Sequence, residues 1–154
     1  IYAGYNHPTV AVRLVEKDGK MTTEEVWSNS SSAMHMSSPV LAGKRLFGMT
    51  HRQSGQVFCL DAENGKTLWT GPDRIGDNVA FISTGDFILM LTTESDLIVL
   101  KADADKYEPV ARYHVADTPT WAHPALVDHQ ILIKDKFDLS LFTIWPTTTT
   151  RAAG

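Results

Sequence analysis

GQVFCLDAENGKTLW, residues 55–69, decides how this chain is read. Val57, Phe58, Cys59 and Leu60 make a short apolar run of strand-forming residues. Lys66-Thr67-Leu68-Trp69 is a second, alternating run that ends on a large aromatic side chain. Between them, Asp61-Ala62-Glu63-Asn64-Gly65 supplies turn chemistry, because Asn-Gly tolerates the positive φ that a hairpin turn needs. The stretch is therefore strand, tight turn, strand.

Landmarks of this unit recur. Trp27, Trp69 and Tyr113 close strands at spacings of 42 and 44 residues. Pro39, Ala80 and Pro124 open strands at spacings of 41 and 44, and Leu14, Leu60, Leu100 and Phe142 mark strand cores at spacings of 46, 40 and 42. Three markers thus agree on a period of about forty residues, the length of a four-stranded propeller blade. The first full blade has strands at Pro39–Leu41, Arg45–Thr50, Gln56–Leu60 and Thr67–Trp69. The second has Ala80–Ser83, Phe87–Thr93, Asp96–Leu100 and Val110–Val115, with a longer charged connection at Lys101–Glu108. Tyr2–Tyr5, Val10–Leu14 and Thr23–Trp27 read as the last three strands of a preceding blade. Pro124–Val127, Gln130–Lys134 and Leu139–Ile144 read as the first three of a following one. No segment carries a sustained apolar pattern at helical spacing. The expected fold is all-β, a partial propeller of antiparallel four-stranded blades at about 1–28, 37–70, 78–115 and 122–145, with a disordered tail over 146–154. About three and a half blades do not close a ring, and an open stack exposes two blade faces. Either further sequence or a second chain completes it.

The bulk composition excludes several classes. A chain of 154 residues with 43% hydrophobic and 21% charged residues has the make-up of one globular domain with a real core. A net charge of −4 gives no basic footprint for nucleic acid. No apolar run approaches the ~20 residues of a membrane helix. The lone Cys59 rules out an internal disulfide and a cysteine-rich metal site. Nothing at Ile1 resembles a signal peptide and there is no initiator Met, so the chain reads as processed, trimmed or excised from something longer.

With the repeat established, residues 55–69 resemble the blade motif of the quinoprotein-like (PQQ-repeat) β-propellers, at Leu60, Asp61, Ala62, Gly65, Lys66 and Trp69. Glu25-Val26-Trp27 is a degraded copy. The third copy has Tyr113, and its turn, Asp103-Ala104-Asp105-Lys106, lacks the glycine. Trp121-Ala122-His123-Pro124 through Ile131–Asp135 is similar to the last blade of bacterial members. The resemblance implies that the tryptophan docks between blades. It also implies a periplasmic or extracellular setting, although no signal sequence stands in this chain. One branch of the family comprises dehydrogenases with PQQ, calcium and often a disulfide of neighbouring cysteines. The other, which includes outer-membrane assembly lipoproteins, uses the propeller for protein contacts. A single cysteine and no assignable calcium cage favour the second branch.

In a propeller, the loops entering each innermost strand gather at the mouth of the central channel. Here they are 28–38, 71–79 and 116–123, and loops on a rigid scaffold carry function. The candidate ligand-binding residues at that mouth are His35, Met36, Arg74, Asp77, Asn78, Trp121 and His123. His35, Asp77 and His123 are candidates for convergence, although none of the six histidines stands in an HxH, HxxxH or HExxH pattern, and three unrelated loop residues is the blander alternative. No metal is assigned. Met34-His35-Met36 is compatible with copper, yet methionines more often pack. Arg74 and Asp77 hold either an anionic ligand or a local ion pair around Gly76. Lys134-Asp135-Lys136 is a charged strand end, ordinarily solvated. Trp121 serves either as inter-blade packing or as a stacking surface for a sugar or ring. Cys59 is a small buried hydrophobe.

The expectation is a non-catalytic propeller that binds a protein partner or a second copy of itself, without a cofactor. The alternative is a segment of a PQQ- or metal-dependent oxidoreductase with its site at the channel mouth.

Overall fold

The computed structural model describes residues 1–144. The expected tail at 146–154 lies outside them. Fourteen strands form four antiparallel sheets in chain order. The first sheet holds β1 (Tyr2–Gly4), β2 (His7–Lys17) and β3 (Lys20–Asn29). The second holds β4 (Val40–Ala42), β5 (Arg45–Thr50), β6 (Gln56–Asp61) and β7 (Thr67–Thr70). The third holds β8 (Val79–Ser83), β9 (Phe87–Thr92), β10 (Asp96–Lys101) and β11 (Pro109–His114). The fourth holds β12 (Ala125–Val127), β13 (Gln130–Lys134) and β14 (Leu139–Thr143). Each sheet is a simple up-and-down meander, as the hairpin spacing requires. A single 3-10 turn, Arg52–Ser54, is the helical element among the described residues.

The sheets pack face to face through alternate residues. Phe47, Met49, Val57, Cys59 and Trp69 of the second sheet bury against Phe81, Ile88, Met90, Ile98 and Leu100 of the third. Ala11 and Trp27 of the first meet Leu46, Phe58 and Leu60 of the second. Leu89, Leu91 and Leu97 of the third meet Ile131 and Ile133 of the fourth. Both faces of β5, β6, β9 and β10 are therefore covered, which is why they read as continuous apolar runs rather than as alternations.

Two tryptophans join neighbouring sheets in the same way. Trp27 Nε1 donates to Ala62 O at 2.9 Å, and Trp69 Nε1 donates to Ala104 O at 2.9 Å, each 35 residues further on. Ala104 O also accepts from the Arg45 guanidinium, which pairs with Asp105 at 2.8 Å. Phe47, Trp69 and Tyr107 stack edge to face, with ring centroids 5.8 and 6.1 Å apart. Tyr113 does not continue this series. Ala111 pairs with Val99 as Trp69 pairs with Cys59, so Ala111 occupies the anchor position and Tyr113 is 57% exposed.

The turn at 61–65 closes as its sequence suggests. Gly65 N donates to Asp61 O at 2.8 Å, and the Asp61 carboxylate accepts from Glu63 N and Asn64 Nδ2, both at 2.8 Å. Gly65 takes the positive φ, 74°, while Asn64 stays on the ordinary side. The β2–β3 hairpin is longer than its apolar pattern indicates. Asp18 and Gly19, with φ of 53° and 73°, form a tight turn that pairs Lys17 with Lys20. Charged residues at 13–20 hid that extension, because both faces of the ribbon meet solvent there.

Gly65 faces the Trp27 ring so closely that an added Cβ would sit 2.4 Å from Cε3, whereas a Cβ at Gly43 (φ 57°) meets nothing within 4 Å. Gly43→Ala should cost about 1–2 kcal/mol through backbone strain alone. Gly65→Ala should cost about 1–3 kcal/mol more, through the clash; equal urea midpoints for the two variants would contradict this anchor geometry. Cys59 has no exposed surface, and burial, partly offset by the Arg45 charge, pushes its thiol from 9.0 up to about 11. A folded pKa above the unfolded one means the thiol's contribution to stability is complete below about pH 9 and fades as pH rises towards 11. Thiol labelling at pH 8 should therefore proceed only at the rate of unfolding.

Candidate functional site

Antiparallel pairing places one set of connections on one edge of the stack. The turns β1–β2, β5–β6, β9–β10 and β13–β14 lie there, together with the crossovers at 30–39, 71–78 and 115–124. All seven predicted candidates sit on these crossovers.

Hydrogen bonds lock the loops to one another and to the strands. Ile75 N donates to Gly55 O at 3.1 Å, and Arg74 N to Gln53 O at 3.0 Å. The Gly55 and Gly76 backbones approach so closely that a Cβ at Gly55 would lie 2.1 Å from Gly76 O. The amide of Asp77 donates to Thr93 Oγ1 at 3.1 Å. Ser37 Oγ donates to Asn78 Oδ1 at 2.5 Å and accepts from Val79 N at 3.1 Å, which ties the first crossover to the second. Thr120 Oγ1 donates to Thr92 O, Ser95 Oγ to Thr118 O, and Thr118 Oγ1 to the Asp135 carboxylate at 2.8 Å. Hydrogen bonds from the Asp138 amide, then from Thr118 and the Phe137 amide, hold the Asp135 carboxyl below its ordinary value. This edge is a rigid frame, unlike an ordinary set of surface loops.

The candidates divide on that frame. Asn78 is half-buried and structural through Ser37. Arg74 and Asp77 are exposed and form no ion pair with each other; backbone hydrogen bonds and the positive φ of Arg74 (60°) and Gly76 (139°) shape their loop instead. His123 is exposed, with Nδ1 3.0 Å from Pro124 O. Trp121 is 52% exposed, so its indole is not a packing element between blades. Met34 is buried in the joint between the first two sheets while Met36 is 54% exposed, so the two thioethers and His35 do not form one copper-binding face.

His35 finds other neighbours. Its ring lies 4.9 Å from that of Tyr5 and 6.0 Å from that of His51, and Tyr5 and His51 are 4.5 Å apart. Among the described residues, His51 Nδ1 is the buried side-chain polar atom without a hydrogen-bond partner. Tyr5 and His51 carry no local sequence signal, because only the stacking of the first sheet on the second brings them to His35. Among the described residues, no three His, Cys, Asp or Glu side chains gather to hold a metal ion, so His35, Asp77 and His123 do not converge as ligands.

Sheets of this kind, stacked about a common edge of loops, define a β-propeller segment. The chain is similar in structure to the computationally designed Ika8 protein, with a TM-score of 0.64, 13% identity, and coverage of 88% of this chain and 43% of that one. It is also similar to BamB from Moraxella catarrhalis, with a TM-score of 0.62, 19% identity, and coverage of 92% of this chain and 44% of that one. The chain thus spans less than half the length of either structure. No family model and no curated protein matches it in sequence. No helix among the described residues is long and apolar enough to cross a membrane.

Ser37→Ala would strand the buried Val79 N–H and deprive Asn78 of its donor. It should cost about 1–3 kcal/mol, and a urea midpoint equal to that of the wild type would show that the two crossovers are not coupled.

Proposed function

We propose that this chain is a non-catalytic propeller segment that binds a protein partner through its loop edge, in a periplasmic or extracellular setting. The observation that carries the reading is the exposure of Met36 and Trp121, at 54 and 52%, on crossovers locked to a rigid frame, with Tyr5 57% exposed on the neighbouring β1–β2 turn. Aromatic and methionine side chains held in solvent by preorganised backbone are the material of interface cores. They lose little conformational entropy when a partner covers them. The likeness to BamB fits this reading through the fold alone. The quinoprotein resemblance at residues 55–69 concerns the joint between blades and adds no chemistry to the loops.

Selection of displayed peptides on the immobilised protein tests the proposal. Clones should bind the wild type about tenfold or more tightly than the double variant Met36→Glu, Trp121→Glu, because a covered aromatic anchor is worth about 2 kcal/mol. Clones that bind both equally would displace the partner site from the loop edge. Dye reduction after addition of PQQ and calcium would replace the proposal with the oxidoreductase reading.

A further inference from the structure

The asparagines of the chain are Asn6, Asn29, Asn64 and Asn78, and Asn64 is the one that a glycine follows. An asparagine carries an electrophile, its side-chain carbonyl carbon, within reach of the backbone nitrogen of the next residue. His7, Ser30 and Val79 each set a side chain beside that nitrogen, whereas Gly65 leaves the approach open. In the closed turn both reacting groups are engaged. Gly65 is buried and donates its N–H, whose proton must leave before the nitrogen can attack, to Asp61 O at 2.8 Å. The Asn64 amide is pinned at both ends. Its Oδ1 accepts from Lys66 N at 2.9 Å, and its Nδ2 donates to the Asp61 carboxylate at 2.8 Å. The first blade holds the turn in this state. Trp27 Nε1 donates to Ala62 O and its ring lies against Gly65, while Asn29 Nδ2 donates to Gly65 O at 2.7 Å and to Thr67 Oγ1 at 3.2 Å. Asn64 itself is exposed, so water reaches it once the turn loosens.

We propose that Asn64-Gly65 is a self-modifying site that the first blade keeps shut and that reacts when the joint between the first and second blades opens. Water is the one co-reactant. Gly65 N gives its proton to solvent and bonds to Asn64 Cγ, and the side-chain nitrogen leaves as ammonia, which closes a five-membered succinimide. Water then adds to one ring carbonyl. Opening at the side-chain carbonyl leaves an aspartate, and opening at the backbone carbonyl leaves an isoaspartate, whose chain runs through the former side chain. Both products weaken the joint. Each loses the Nδ2 donor to Asp61, and the aspartate sets a second carboxylate against the first. The isoaspartate also lengthens the backbone just before the glycine that has no space to spare against Trp27. Conversion does not reverse, so the turn accumulates a record of the time the joint has been open. The inference is independent of the loop-edge partner, because the β6–β7 turn lies at the opposite edge of the stack.

Incubation of the full chain at pH 8, with tryptic mapping of the peptide 53–66, tests this. Conversion should run about tenfold or more slowly in buffer than in denaturing urea, since it waits on an opening that costs about 1.4 kcal/mol or more. Trp27→Phe keeps a ring in the joint but removes the donor to Ala62 O, and it should speed conversion of the folded chain. Asn29→Asp keeps the oxygen that accepts from Ser31 N and Ser32 N but loses the donor to Gly65 O, and it should do the same even if Trp27→Phe does not fold. Trp69→Phe, at the next joint, should leave the rate unchanged. Equal rates with and without urea overturn the inference. So does a rate that neither first-joint variant raises, and so does equal acceleration by Trp27→Phe and Trp69→Phe, since the reaction would then follow global unfolding. Asn64→Asp reproduces one product and should lower the urea midpoint; a midpoint equal to that of the wild type overturns the weakening.

Discussion

An indole N–H reaching a carbonyl in the next blade is the constraint from which the rest of this structure follows. Trp27 and Trp69 each sit at the outer strand of a sheet and donate to Ala62 and Ala104, respectively. The bond satisfies the one polar atom of a large buried ring, so the tryptophan can fill the joint without a desolvated donor. It also fixes the rotation between sheets, because a turn carbonyl has one place to be if the ring is to lie flat on the strands. The turn must then stay open to the ring, which is why Gly65 lies against Trp27 with no space for a side chain. Arg45 and Asp105 repeat the grip on the second joint with charge added. Here the guanidinium is half-buried and the carboxylate exposed, so the pair orients the turn more than it stabilises it.

From that geometry comes the loop edge. Sheets set at a fixed angle bring their crossovers together, and short hydrogen bonds among Ser37, Asn78, Thr93, Thr118 and Asp135 turn neighbouring loops into one surface. That surface carries the exposed tips of Met36 and Trp121 beside the ring cluster of Tyr5, His35 and His51.

Much of the fold was legible in the chain because two signals agreed at most positions. Apolar runs of strand length and the Gly or Asp turns between them placed Arg45–Thr50 and Gln130–Lys134 as they stand in the structure, and the other strands of the three later sheets within a residue or so. The errors have physical causes. The extended ribbon at 13–24 has no buried face at its tip, so hydrophobic period could not mark it; the Asp18-Gly19 pair could have. Tyr113 drew the reading because it is the aromatic residue nearest the expected spacing, whereas the register, with the same break as in the second blade, puts the anchor position two residues earlier, at Ala111. The candidate loops followed from topology, but the neighbours within them did not. Counting back three residues from Pro39, Ala80 and Pro124 aligns Met36, Asp77 and Trp121, whereas His35, Asp77 and His123 stand four, three and one residue before them and do not gather at one point. The contact of His35 with Tyr5 and His51 depends on the angle between two sheets, which no local pattern encodes.

Ala111 has a further consequence. Blades that touch only their neighbours have a stability close to a sum of blade and joint terms, so the joints set the order in which the stack comes apart. Among the described residues, the joint between the third and fourth blades has aliphatic packing without an indole or an Arg45-like clamp. The fourth blade is thus the unit with the lowest opening free energy, and its amides exchange with solvent ahead of those in β5, β6, β9 and β10. Whatever settles on that blade closes the opening by mass action. Exchange at β12–β14 is then a gauge of occupancy, read from inside the chain.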